Sequence, residues 1–173
     1  EPTPEAAGLP AGWAPWLKFV AIYLLLQAGW HGLGATPLGD QIIERLAVRP
    51  AAWLIDAGAP SLAVSAQGRS IVALGTHLHV RNGCDGADLL ILLVAAFGAS
   101  GLALRTAVAG LAGGTLLVFA LNQARIVALF HALRSDPLRF AVLHEYVLPA
   151  VLTLVLLAYF HGCLQRASAT PGA

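Results

Sequence analysis

Four apolar stretches constrain this chain more than any other feature. They run over residues 16–33, 87–104, 106–121 with helix continuing through Phe130, and 145–163. Each approaches the ~20 helical residues that a bilayer core requires. Only 11% of the 173 residues are charged and 58% are hydrophobic, whereas soluble domains carry about 25% charged residues. So few charges cannot build a water-facing surface around so apolar a chain. The pattern therefore predicts an all-α integral membrane protein, a bundle of about four transmembrane helices. The net charge of +1 and the absence of a basic run give no footing for nucleic acid.

The intervening segments are less regular. Residues 1–15 are rich in Pro, Ala and Gly without a basic n-region, and read as a flexible tail rather than a signal peptide. The chain holds no Met, so its start is expected to be processed or trimmed. Residues 166–173 read as a second flexible tail, leaving 16–165 as the membrane domain. Trp13, Trp16 and Trp30 are spaced like interfacial anchors. The long loop over 34–83 is expected outside the cytoplasm. Within it, the segment around Trp53, between Pro50 and Pro60, is too short and broken to span, and suits an interfacial helix. Ser70 to Val80 suits a short extended segment or hairpin. Gly110 and Gly114 form a small-residue pair suited to close helix packing.

The chemistry gathers at Cys84. It lies in Arg81-Asn82-Gly83-Cys84-Asp85-Gly86, a Gly-rich turn opening the second apolar run. A nearby helix start and Arg81 would favour the thiolate, although Asp85 opposes it. If the spans alternate, the end of the third helix, Asn122-Gln123-Ala124-Arg125-Ile126, returns to the Cys84 side. A loop carrying Arg134, Asp136, Pro137 and Arg139 follows, and His144-Glu145 heads the fourth helix there too. Cys84, Arg125 and His144 thus converge on one membrane face. A thiol nucleophile needs a base, commonly His. Attack on an amide builds an oxyanion that a permanent cation such as Arg125 stabilises.

Asn82-Gly83-Cys84-Asp85-Gly86 before one apolar helix, Asn122-x-x-Arg125-Ile126 closing the next, and His144 heading the last resemble the exosortase/archaeosortase family. The brevity of the chain resembles its short, exosortase H-like branch. The resemblance covers roughly residues 71–159; larger members carry additional N-terminal helices that this chain lacks. It implies a membrane-embedded cysteine transpeptidase of the bacterial inner membrane. Cys84 would be the nucleophile, His144 the general acid/base and Arg125 the oxyanion or substrate-positioning residue, with the site facing the periplasm or exterior. The implied partners are exported proteins bearing a C-terminal sorting signal: a motif, a transmembrane helix and a basic tail. No cofactor is implied.

Supporting residues are Asn82, Gly86, Asn122 and His79. The asparagines also suit a purely structural role in capping or joining helices, and Asp85 and Asp88 suit the helix dipole. His77 and His79 share a strand face, but no third metal ligand is evident. Other readings stay open: a peptidase that only hydrolyses, a haem-binding subunit using His31 and His144, or a structural module. The Lys/Arg distribution runs against an outward site. Lys18, Arg105 and Arg166 fall on the expected inner side, and Arg45, Arg49, Arg69, Arg81, Arg125, Arg134 and Arg139 on the outer side.

Overall fold

A computed structural model describes residues 13–169; residues 1–12 and 170–173 of the expected flexible tails lie outside it, while 14–15 and 166–169 are helical, continuing the apolar helices beside them. The chain is mostly helical, with one small sheet. Helix α1 spans Ala14–Gly34. Helices α2 (Pro37–Ile43) and α3 (Arg49–Gly58) follow, joined by a π turn at Glu44–Val48. Strands β1 (Ser65–Gln67), β2 (Ser70–Ala73) and β3 (Thr76–His79) form an antiparallel meander in that order. Helix α4 spans Ala87–Ala99 and α5 spans Leu104–Ser135. Helices α6 (Pro137–Val142) and α7 (Leu148–Ala169) are joined by a π turn at Leu143–Val147.

Two helices are long and apolar enough to cross a membrane, Leu104–Ser135 and Pro137–Ala169. The apolar core helix of a soluble protein is mostly buried. Here only 11% of each apolar window is covered. Leu116, Leu154 and Leu157 stand exposed, as lipid-facing side chains do. Helix α4 is shorter than the expected second span. It stops at Ala99, where Ser100 Oγ accepts from Leu102 N and Gly101 takes a positive φ. At ~1.5 Å per residue, thirteen residues reach only ~20 Å.

The expected loop after the third helix is almost absent. Asp136 alone separates α5 from α6. Its carboxylate accepts from Leu138 N at 2.8 Å, and Pro137 occupies the first helical position. This is an N-cap with a pre-set φ. His144 therefore lies inside a continuous 33-residue helix, not at its head.

The 34–83 segment is folded rather than open. Its helix runs past Pro50, which does not break it, and an expected hairpin forms at β2–β3 with β1 added. Proline lacks the N–H that the carbonyl four residues back requires. Both π turns sit just before a proline, Pro50 and Pro149. In each, the N–H ending the turn reaches five residues back: Arg49 to Glu44 and Leu148 to Leu143. The Leu46 carbonyl, four residues before Pro50, takes Gln123 Nε2 instead, at 3.0 Å.

Two cores share α5 as a spine. Ile43, Val48, Ile55, Ile71 and Val80 pack on its Ile126 and Phe130 and form a cap. Leu93, Phe97 and Leu156 pack on its Val118 and hold the bundle. Gly110 and Gly114 admit Phe97 and Leu93 of α4 and Tyr159 of α7, whose hydroxyl donates to the Gly110 carbonyl at 2.7 Å. The small-residue pair thus packs helices of one chain.

Candidate active site

Three elements deliver the three site residues. The turn between β3 and α4 carries Cys84, the upper part of α5 carries Arg125, and the π turn between α6 and α7 carries His144. Cys84 Sγ lies 3.8 Å from His144 Nε2 and 3.9 Å from Nδ1. The two near-equal distances leave neither nitrogen singled out as the partner of the thiol. A modest ring rotation would bring one nitrogen onto the thiol, as resting catalytic pairs are often loosely aligned. The Phe140 ring lies 5.4 Å from the imidazole, centroid to centroid, tilted by 32°. It packs against the His144 ring. Widened helical turns recur at functional sites, and this one sets where His144 points.

Arg125 is 7% exposed, a burial that a cation tolerates only with partners. Its Nη2 donates to Cys84 Sγ at 3.8 Å and its Nη1 to the Gly83 carbonyl at 3.3 Å. The guanidinium therefore grips the turn and faces the thiol together. Burial pushes the Cys84 thiol above its ordinary value of 9.0; Arg125 pulls it back in part, and Asp85 and Asp88 push it up. The balance at Cys84 thus runs toward the neutral thiol. Desolvation outweighs Arg81 and the helix start. Burial also raises the Asp85 carboxyl.

The supporting residues separate. Asn122 is buried against Gly86, where a Cβ would come within 3.0 Å of its Cγ. Gly86 also has φ +88°, so its lack of a side chain serves both backbone and contact. Asn82 Oδ1 accepts from Arg69 Nη1 at 2.7 Å, away from the thiol. His79 is not brought to Cys84: its Nδ1 pairs with Ser70 Oγ at 3.0 Å across the sheet. Among the described residues no group of three or more His, Cys, Asp or Glu could hold a metal ion. His31 stands exposed on α1, while His144 faces Cys84 and Phe140.

Sequence reasoning missed Arg69, Gln123 and Phe140. Arg69 also binds Asp40 Oδ1 at 2.5 Å and the Gly34 carbonyl. It thereby ties the end of α1, α2 and the strand leading to the Cys84 turn into one unit. Its partners are 29 and 35 residues away, so no local signal marks it. Pro50 was the available clue for Gln123, because it frees a carbonyl that needs a donor.

No protein-family model matches this chain, and neither a curated protein nor a solved structure matches it significantly. What the fold defines is a mostly helical chain with two membrane-length helices. Its site is defined by geometry alone.

Proposed function

We propose that the protein is a membrane-embedded cysteine transpeptidase that cleaves the C-terminal sorting signals of exported proteins. The observation that carries this reading is the convergence of Cys84, His144 and Arg125 within 4 Å of one sulfur, from three separate elements. The resemblance to exosortases, which rests on the same three residues, supports the substrate class.

In this mechanism His144 takes the Cys84 proton as sulfur attacks a peptide carbonyl. An S–C bond forms, and the carbonyl electrons move to oxygen, which Arg125 stabilises. The intermediate collapses, the C–N bond breaks, and His144 protonates the leaving amine. A thioester remains. An acceptor nucleophile, deprotonated by His144, then attacks it and restores the thiol. Water in that role gives hydrolysis and a second amine or hydroxyl gives transfer.

In the proposed four-span arrangement α1, α5 and the Pro137–Ala169 helix cross the bacterial inner membrane, α4 enters it part of the way before the turn at 100–103, and the site with its cap faces outward. Among the outer arginines, Arg49 pairs with Glu44, Arg69 with Asp40 and Arg139 with Asp136.

The test is processing of a co-expressed protein bearing such a sorting signal. Wild type is expected to cleave it, with cleavage abolished in Cys84→Ala and strongly reduced in Arg125→Ala and His144→Ala. Undiminished cleavage by inserted Cys84→Ala would overturn the assignment.

A further inference from the structure

A groove of about 460 Å³ runs between α1, the α2–α3 helix, α4 and α5. Its walls are apolar, and rim residues Leu25, Leu46 and Phe119 are exposed. On α5 it follows Thr115, Val118, Phe119, Asn122 and Gln123, a single helical stripe. The stripe climbs toward Arg125.

One end of the groove differs from the rest. Asp85, Gly86, Asn122 and Gln123 line it there, next to Cys84 in the chain. Asn122 and Gln123 are 2% and 4% exposed. Among the described residues, Asn122 Oδ1, Gln123 Oε1 and Asp85 Oδ2 are three buried acceptors without a hydrogen-bond partner, against one such donor on the groove wall, Trp30 Nε1. Such atoms are costly unless something donates to them. A second groove, about 410 Å³ and lined by Trp16, Leu92 and Leu157, has no such end. Its polar side chains Ser100 and Thr153 are satisfied by the carbonyls of Phe97 and Pro149.

The occupant must be apolar along its length and rich in donors at the end near Cys84. A transmembrane helix has that profile, because its first four backbone N–H groups lack partners and carry the positive end of its dipole. Resting on the function proposed above, we infer that the substrate's transmembrane helix docks in this groove with its first turn on Asp85, Asn122 and Gln123. The peptide bond just before that helix then falls beside the thiol. Recognition would read backbone donors, between α1, α4 and α5.

The probe is a synthetic peptide, a Leu/Ala helix of transmembrane length preceded by a short polar segment. It is reconstituted with the full-length Cys84→Ala protein in phosphatidylcholine vesicles. A photoreactive side chain replaces Phe119 in one preparation and Leu157 in another. The expected result is a peptide adduct from position 119 and none from 157, with yield falling about tenfold when the first-turn amides are N-methylated. Asn122→Leu should weaken the adduct similarly, while the N-methylated peptide gives the same reading without altering the protein. Equal yields for the two peptides, labelling from 157, or an adduct of phospholipid alone would overturn the inference. Adduct formation needs no thiol chemistry, so it stands or falls separately from cleavage.

Discussion

Cys84 shows how far a residue's neighbours can reverse what its sequence context suggests. A helix start and Arg81 favour a thiolate, yet burial leaves a thiol with a raised pKa. In the proposed mechanism His144 therefore removes the proton as the substrate arrives, rather than storing it in a resting ion pair. Iodoacetamide alkylation of Cys84 in the wild-type protein should rise with pH through a midpoint above 9.0. Removal of a cation destabilises the thiolate, so Arg125→Gln should move the midpoint further up. A midpoint below 9.0, or a downward shift in Arg125→Gln, would contradict this ordering. The meeting of Cys84, Arg125 and His144 was legible in the sequence because helix length and alternation place all three at one face. The roles of Arg69 and Phe140 were not legible, since each depends on a contact that only the folded chain makes.

The same contrast holds for the elements. The long α5 was readable from continuous apolar character, and the β2–β3 hairpin as a short extended segment or hairpin over 70–80. The α5–α6 junction was misread because Arg134, Asp136 and Arg139 look like a solvated loop. They are an N-cap and its flanks. The π turn before Pro50 escaped because a proline inside a helical pattern ordinarily signals an end, and the one before Pro149 because an apolar run carries no mark of a widened turn. At Pro50 the freed carbonyl found Gln123, and at Pro149 the widened turn set the place of His144. If that turn and the Phe140 ring aim the imidazole, Phe140→Ala should cut cleavage by up to about 10²-fold. Phe140→Tyr, which keeps the ring, should retain most activity. Melting temperatures measured alongside would separate aim from stability, and full activity in folded Phe140→Ala would refute the positioning role.

At the scale of the whole molecule, α5 links the cap core to the bundle core, and in the proposed arrangement the site lies where water-facing cap and lipid-facing bundle meet. That location suits a substrate whose cleavage point adjoins its own membrane helix. It also predicts sidedness. A membrane-impermeant maleimide applied to the periplasmic face of intact spheroplasts should label Cys84 slowly, at a rate rising with pH, and should leave Cys163 unlabelled. The reverse pattern would invert the topology. The central claim is that Cys84 forms a thioester with its substrate, and intact-protein mass spectrometry after mixing purified enzyme with a sorting-signal peptide tests it most directly. The account predicts an adduct equal in mass to the peptide segment upstream of the cut, mapped to Cys84 and released by neutral hydroxylamine. Peptide cleaved with no adduct at any time, together with full cleavage by Cys84→Ala, would contradict it.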